Sequence, residues 1–263
     1  MKINPKKSLG QNFLIDKNII EKICNAANIK RNNNVLEIGP GTGNLTDFIL
    51  QKKPKKFHVI EKDERLIKNL NQRFDDKITI INEDILKYDL KLLSDKDLII
   101  FGNLPYNISS QILANFINYS YSEFSYKKLV FMFQKEVADR ILAKDNSKNY
   151  GRLSIFSSWK LNIKKIMDIN PSSFFPKPKV MSSLLIFEPK INYIKFKNSK
   201  NLEHITNVFF NQRRKMIKKP INILFKNSQT VIKDLNLDTN LRPQNIKKDT
   251  YYKICLIYEK LTN

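Results

Sequence analysis

The sequence predicts an α/β domain with a mostly parallel sheet covered by helices on both faces, followed by a small all-helical domain. Short apolar strand patterns alternate with helical patterns from about residue 34 to residue 135, which is typical of parallel sheets. A glycine-rich turn at residues 39–43 follows the first of these strands. Beyond Pro189 the strand patterns fade and helical spacing remains, so we place the domains at residues 1–190 and 191–263.

The individual elements follow from the apolar periodicity, taken in chain order. We predict strands for the short apolar runs at residues 35–38, 57–60, 78–81, 98–101 and 129–133. The pattern at residues 180–187 predicts a further strand, which we expect to close the sheet as an antiparallel edge. The polar stretch 143–151 predicts a mobile loop. Helical spacing predicts helices at residues 45–50, 64–74, 108–117, 136–143, 153–159, 202–210, 217–225, 230–235 and 250–261.

The charge of the chain indicates a polyanionic partner. The 263 residues contain 47 Lys and Arg against 25 Asp and Glu, a net charge of +22. A chain this basic repels itself unless anions are near, which favours nucleic acid. Lys, Asn and Ile are all abundant, and the coding bias of an A/T-rich genome explains part of the lysine excess.

The cysteine and histidine content argues against a metal centre and against export. Cys24 and Cys255 lie far apart, and His58 and His204 are the only histidines, so we expect no zinc site and no disulfide scaffold. No apolar run approaches the roughly 18 residues that span a bilayer, and the N-terminus lacks the apolar core of a signal peptide. We expect a cytoplasmic monomer that holds no metal and does not contact membranes.

The glycine turn predicts the type of cofactor. Its spacing is G-x-G-x-G, and Asn44 stands where a dinucleotide fingerprint would place its third glycine. This form resembles motif I of S-adenosylmethionine-dependent methyltransferases, so we predict a Rossmann-like methyltransferase domain. Gly39 and Gly41 allow the backbone to approach the cofactor closely.

Acidic residues follow the next two strands. Glu61 ends the second strand, and an ionised carboxylate there can accept hydrogen bonds from both ribose hydroxyls. Asp84 follows the third strand and is placed to accept from the adenine amino group of the cofactor, with Ile85 in the same site. Either acid alone also fits a solvated loop, but the order of the turn and the two acids favours a cofactor site.

The turn at residues 102–107, Gly-Asn-Leu-Pro-Tyr-Asn, is suited to holding an amino group on a planar ring. Asn103 offers a side-chain carbonyl as an acceptor. Pro105 biases Leu104 toward an extended conformation, so the Leu104 carbonyl can serve as a second acceptor. Tyr106 supplies a flat face on which a base can stack. An ordinary Pro-Tyr turn is the alternative interpretation of these residues taken alone.

Motifs along nearly the whole chain resemble the bacterial small-subunit ribosomal RNA adenine dimethyltransferase family. The most specific combination joins the N-terminal block to Asn-Leu-Pro-Tyr-Asn-Ile-Ser-Ser and to Phe-x-Pro-x-Pro-Lys-Val-x-Ser. The matching blocks are residues 7–14, 35–46, 102–110, 133–137, 150–154, 174–182 and 210–215.

The resemblance implies the cofactor contacts in more detail. Family members use S-adenosyl-L-methionine, over which their N-terminal segment folds, and this assigns cofactor contacts to Asn12 and Leu14. Gly39 and Glu61, together with Asp84, match further cofactor positions of the family. Asn103 matches another, so it is expected to contact both the cofactor and the target base.

The resemblance also implies the reaction. The family methylates N6 of two adjacent adenosines in the 3′-terminal hairpin of small-subunit rRNA. Phe174 matches the aromatic residue that sandwiches the target adenine with Tyr106, and we assign stacking to it. Phe175 is a second phenylalanine where we expect a smaller or polar residue. Core packing is the alternative interpretation of both rings, and composition alone favours it.

Basic residues of the chain are expected to hold the RNA, in the context of an immature small subunit. For any single run of charges a solvated face is the alternative interpretation. The predicted RNA-binding residues are Arg140, Lys144, Lys148, Arg152, Arg213, Arg214 and Lys215.

Two other functions stay open at this stage. A sister methyltransferase that acts on large-subunit (23S) rRNA and confers macrolide resistance would share the pocket. A ribosome assembly factor that acts mainly by binding belongs to a different class. The N-terminal block, Asn107 and the Asn-Gln-Arg-Arg motif at residues 211–214 favour the small-subunit (16S) enzyme.

Overall fold

The structure is a computed structural model that describes residues 4–119 and 123–262. The chain divides into two compact units. The first, here called the sheet unit, comprises Met1–Ala138 and Asn162–Pro189; the second, the helical unit, comprises Asp139–Leu161 and Lys190–Asn263. Residues 139–161 thus group with the C-terminal helices, and the domain division at residue 190 stays a prediction.

Every strand and helix predicted above is found, with ends within a few residues of those expected. The strands are β1 (Phe13–Leu14), β2 (Asn34–Ile38), β3 (Lys56–Glu61), β4 (Thr79–Asn82), β5 (Leu98–Gly102), β6 (Tyr126–Gln134), β7 (Leu161–Ile169), β8 (Phe174–Phe175) and β9 (Ser182–Pro189). The helices are α1 (Lys17–Ala27), α2 (Asn44–Gln51), α3 (Glu64–Phe74), α4 (Ser109–Asn118), α5 (Lys135–Leu142), α6 (Arg152–Lys160), α7 (Ser199–Phe210), α8 (Lys218–Leu224), α9 (Ser228–Asp234) and α10 (Lys248–Leu261).

The main sheet has seven strands in the order β4-β3-β2-β5-β6-β9-β7. Strands β2 to β6 pair in parallel, and β9 pairs antiparallel with β6, which confirms the mostly parallel sheet. The expectation that residues 180–187 form the edge was wrong, because β7 lies outside β9. Lys164, Lys165 and Asp168 interrupt the apolar pattern of β7, and edge strands commonly carry such charges.

All five residues of β5 are buried. Since neighbouring residues of a strand point to opposite faces, both faces of the sheet are covered here. On one face, Ile23 of α1 and Ile49 of α2 are fully buried in the same core cluster as Val35. On the other face, the ring of Phe116 in α4 lies 5.6 Å from that of Phe131. Because β2, β3 and β5 run in parallel, their carboxyl ends meet at one edge of the sheet. Parallel sheets bind ligands at this edge.

The helical unit has its own aromatic core. The ring of Phe209 in α7 lies 5.2 Å from that of Tyr251 in α10, and the Tyr251 hydroxyl donates a hydrogen bond of 2.7 Å to the Pro243 carbonyl. The loop at residues 143–151 is tied to this unit by the Asn146 amide, which donates to the Gln244 carbonyl.

Across the described ranges, no helix combines the length and hydropathy that crossing a membrane requires.

Candidate active site

The glycine turn brings backbone, rather than side chains, to the carboxyl end of β2. Gly39 has a φ of +65°, and a Cβ built on it would meet no atom within 4 Å. Gly41 has a φ of +59°, and a Cβ there would lie 2.8 Å from the ring of Phe13. Open space therefore faces Gly39, whereas Gly41 is needed for close contact with the N-terminal segment.

Gly39 and Gly43 are expected to respond differently to alanine. A Cβ on Gly43 would lie 2.6 Å from the Phe74 ring, so Gly43→Ala should lower the free energy of unfolding by about 1–3 kcal/mol. Gly39→Ala adds only backbone strain of about 1–2 kcal/mol but fills the open space that we predict the cofactor occupies, and should weaken cofactor binding about tenfold or more. Chemical denaturation and calorimetric titration check this; equal effects of both variants on both measurements would contradict it.

The Glu61 carboxylate is positioned by backbone amides. Glu61 is 8% exposed. One oxygen accepts from the amides of Lys62 at 2.9 Å and Asp63 at 3.0 Å, and the other accepts from Gly41 at 3.4 Å. Burial raises the pKa of Glu61 above its ordinary value, although these hydrogen bonds lower it. A carboxylate offers about four acceptor positions, and three are used here, so about one remains for a ligand hydroxyl.

Asp84 is held in the turn after β4. One oxygen accepts from the Leu86 amide at 3.0 Å, and the other accepts from the Lys62 ammonium at 3.1 Å. Burial opposes ionisation of Asp84, but these hydrogen bonds and the Lys62 charge hold its pKa below the ordinary value. Ile85 lines a cavity of about 250 Å³ together with Ile112 of α4.

Asn103 follows β5 with its amide orientation set by the N-terminal segment. The Asn103 Nδ2 donates a hydrogen bond of 2.7 Å to the Asn12 carbonyl. A carbonyl only accepts, so this contact leaves the Asn103 Oδ1 as an acceptor. Within the described ranges, neither that oxygen nor the Leu104 carbonyl accepts a hydrogen bond. Leu104 as a whole residue is 2% exposed, so its side chain anchors the turn and its carbonyl is also shielded from bulk solvent.

Tyr106 is fixed by a partner that the sequence reasoning missed. Its hydroxyl lies 2.7 Å from the Oγ of Ser182, the buried first residue of β9. The Tyr106 ring is half-buried, and burial raises the pKa of its hydroxyl. Only the position of Ser182 at the end of the Phe-x-Pro-x-Pro-Lys-Val-x-Ser motif pointed to it.

The N-terminal segment contacts the ends of three strand-associated turns. Besides the Asn12 contact, the Gln11 side chain donates to Asp63 at 2.9 Å, and the Asn44 side chain donates to the Leu14 carbonyl at 2.8 Å. These contacts bring the predicted cofactor residues Asn12 and Leu14 to Asn103 and to the glycine turn. One small cavity, of about 20 Å³, is lined by Phe13, Leu14, Glu37, Gly39, Pro40, Gly41, Thr42, Asn44, Leu45 and Asn103.

The two phenylalanines of β8 lie in different environments. Phe174 pairs with Leu14, is 2% exposed and packs in the core with Leu184. Phe175 pairs with Phe13 and is 56% exposed. The structure therefore buries the ring to which stacking was assigned, and stacking by Phe174 stays a prediction.

Glu37 is a buried acid that the sequence reasoning did not single out. It lines the small cavity, is 2% exposed and accepts a hydrogen bond of 2.7 Å from Thr46 Oγ1. Its pKa is raised to about 8: burial is the main cause, the Thr46 hydroxyl acts in the opposite direction, and the charges of Glu61 and Asp47 add to the rise. The sequence did offer one indication of this residue, because Glu37 is an acidic residue within the apolar run of β2.

Glu37 should make stability depend on pH. Its pKa in the folded protein, about 8, lies above the ordinary 4.5. The stabilisation from holding its proton is therefore full below about pH 4.5 and is lost as the pH rises through 8. Relative to wild type, Glu37→Gln should gain at most about 1.4 kcal/mol of unfolding free energy per pH unit in this window. Denaturant titrations at several pH values test this, and parallel stability curves would contradict it.

The predicted RNA-binding residues of the helical unit fall into two groups. Arg213 and Arg152 are engaged within the unit. Arg213 donates to the Lys148 carbonyl and to Gln244 Oε1 at 3.2 Å, and Arg152 donates to Asn207 Oδ1 at 3.0 Å. Arg152 is exposed despite this hydrogen bond, as are Arg140, Lys144, Lys148, Arg214 and Lys215.

A basic cavity of about 500 Å³ lies beside α8. Arg214 and Lys215 line it together with Lys218, Lys219 and Arg242. Arg242 was missed because it is distant in sequence from the other four. Five cations around one concavity make a strongly positive surface, which favours anionic groups such as phosphates.

The parallel sheet, the glycine turn after β2, Glu61 at the end of β3 and Asp84 after β4 together define a Rossmann-like methyltransferase. Comparison with known proteins is more specific. The chain belongs to the ribosomal RNA adenine dimethylase family, whose profile matches residues 2–262. The family implies S-adenosyl-L-methionine as the methyl donor.

Relatives resemble the chain over almost its full length. A protein of Pelagibacter ubique named ribosomal RNA small subunit methyltransferase A is 57% identical over 99% of both chains. A protein of the same name from Prochlorococcus marinus is 40% identical over 95% of this chain and 94% of its own. The crystal structure of a Plasmodium falciparum dimethyladenosine transferase has a TM-score of 0.79 at 28% identity, covering 94% of this chain and 98% of that one. The 23S rRNA methyltransferase ErmE, at 18% identity and a TM-score of 0.69, covers 95% of this chain and 100% of that one and shares the fold.

Proposed function

We propose that this protein transfers methyl groups from S-adenosyl-L-methionine to N6 of two adjacent adenosines in the 3′-terminal hairpin of small-subunit rRNA. The product is N6,N6-dimethyladenosine, made in the cytoplasm on an immature small subunit. The observation that carries the proposal is the pair of acceptors, Asn103 Oδ1 and the Leu104 carbonyl, at the edge of the sheet that bears the glycine turn. The names of the relatives support the choice of subunit.

The residues at this edge fit the methyl donor. Open space at Gly39 admits it, the remaining acceptor position of Glu61 suits a ribose hydroxyl, and Asp84 suits an adenine amino group. Asn12 and Leu14 close over the same edge. When bound, the cofactor supplies an electrophilic methyl group whose leaving group is a neutral thioether, so no protein acid is required.

The two acceptors prepare the nucleophile. The exocyclic amine of adenine is conjugated with its ring and is a weak nucleophile. Hydrogen bonds from N6–H to Asn103 Oδ1 and the Leu104 carbonyl favour a pyramidal nitrogen and direct its lone pair toward the methyl group. Positioning of this kind corresponds to effective molarities of about 10⁵ M or more. The methylated nitrogen is acidic and loses its proton afterwards, so no strong general base is needed.

Tyr106 offsets the cost of extruding the base. Unstacking an adenine costs a few kcal/mol and is cheapest in a loop. Stacking on one aromatic ring is worth about 1–3 kcal/mol. The contact between Tyr106 and Ser182 holds the ring in place before the RNA arrives.

Phosphate contacts by the basic cavity should make RNA binding depend on salt. Arg214 is exposed and lines the cavity, whereas Arg213 is engaged within the helical unit. Arg214→Ala should lower affinity for small subunits and reduce the slope of log affinity against log salt by about 1. Filter binding at several salt concentrations checks this, with Lys253→Ala on the exposed side of α10 as control. An unchanged slope would contradict phosphate binding by Arg214.

The choice of substrate is tested by methylating purified subunits. Unmodified small and large ribosomal subunits are incubated separately with labelled methyl donor. We expect label in small subunits; label confined to large subunits would contradict the proposal and favour the macrolide-resistance activity. An Asn103 variant that still binds small subunits tests the assembly-factor alternative: if it supports their maturation fully, binding rather than methylation is the main role.

A further inference from the structure

Phe175 is an exposed aromatic residue of the two-stranded sheet formed by β1 and β8. It lies on the face of this sheet that is directed toward the glycine turn. Directly opposed residues in an antiparallel pair share a face, and Phe175 is opposed to Phe13. The Phe13 ring in turn lies against Gly41 of the glycine turn. Neighbouring residues point to opposite faces, which is why Phe174 packs in the core while Phe175 is 56% exposed.

Phe175 begins an exposed segment, residues 175–181, that leads to the proposed base pocket. At its far end the Lys135 amide donates to the Met181 carbonyl at 2.9 Å. The next residue, Ser182, bonds to the Tyr106 hydroxyl. The segment is therefore anchored at both ends. The residue that follows it contacts Tyr106, on whose ring the target base is proposed to stack.

The chemistry of the segment fits a nucleotide. Lys177 and Lys179 are exposed, and neither forms an ion pair with any described residue. Pro176 and Pro178 limit backbone freedom, which lowers the entropy cost of binding. The segment contains no acidic residue. An exposed ring followed by unpaired cations on a restrained backbone matches the pattern of single-strand recognition, in which bases stack and phosphates are neutralised.

We propose that Phe175 is a second stacking platform, which holds an unpaired RNA base flanking the target adenosine, while Lys177 and Lys179 contact its phosphates. This inference rests on the proposed function and adds a specificity-determining residue to it. Phe175 contributes to substrate binding and leaves the methyl-transfer step unchanged.

The first test separates stacking from apolar bulk. Phe175→Leu should raise KM for unmodified small subunits by about 5- to 150-fold, the range that stacking on one ring supplies, with kcat and thermal stability unchanged. Phe175→Trp should keep KM near the wild-type value. Leu92→Ala, an apolar residue of the same unit that is 72% exposed, serves as control and should leave KM unchanged. A wild-type KM for Phe175→Leu would overturn the inference.

The second test identifies the base. Ultraviolet cross-linking of wild-type protein to small subunits, followed by mass spectrometry, should join Phe175 to a nucleotide next to the two target adenosines. Lys177→Gln with Lys179→Gln should weaken binding and reduce its salt dependence. A cross-link to a target adenosine itself would overturn the inference, since Phe175 would then be the partner of Tyr106. Failure of wild-type protein to methylate small subunits would reject the proposed function before any variant is compared.

Discussion

Replacing Asn103 with alanine is expected to abolish methyl transfer. The variant loses the acceptor Oδ1 and the contact with Asn12 that orients it. Loss of a single preorganised hydrogen-bonding group at the reacting atoms typically costs about 10²–10³ in kcat, and loss of the second contact adds to this. Cofactor affinity should be reduced but measurable, because Gly39 and Glu61 remain. Incorporation of labelled methyl groups and calorimetric titration with cofactor measure the two effects.

A matched variant controls for nonspecific damage. Asn71→Ala removes an exposed asparagine from α3 of the same unit and should leave both quantities unchanged. Undiminished turnover of the Asn103 variant would remove this residue from the mechanism.

Tyr106 is expected to act through its ring more than through its hydroxyl. Tyr106→Ala removes the stacking face and should lower kcat/KM by about 5- to 150-fold or more. Tyr106→Phe keeps the face and loses only the hydrogen bond to Ser182, which corresponds to about 2- to 10-fold. Steady-state kinetics on small subunits compare the two variants.

Ser182→Ala provides the complementary control. If the hydroxyl contact only orients the ring, Ser182→Ala and Tyr106→Phe should show similar small losses, and the double variant should be no worse than either. Equal, large losses for Tyr106→Ala and Tyr106→Phe would mean that the hydroxyl, and not stacking, supports activity.

Elements with a strong local pattern could be predicted from the sequence. The apolar runs of β2 and β5 and the amphipathic spacing of α3 carry their own periodicity. The glycine turn was recognisable because its positive φ angles restrict the residue type. These elements place the predicted cofactor residues at one edge of the sheet.

Features that depend on long-range contacts could not be predicted. Strand β1 has two residues and exists only because it pairs with β8, far along the chain. The edge strand β7 carries charges that mask its alternation. The hydrogen bond of Arg213 requires Gln244, and the burial of Phe174 requires its pairing with Leu14. Neither contact can be predicted from the residues next to Arg213 or Phe174 in the sequence.

A crystal structure with bound S-adenosylhomocysteine and adenosine would test the geometry of the acceptor pair most directly. The arrangement described here predicts adenine N6 within about 2.7–3.2 Å of both Asn103 Oδ1 and the Leu104 carbonyl, with the Tyr106 ring parallel to the base. An adenine bound elsewhere, or an Asn103 amide turned away from N6, would contradict it.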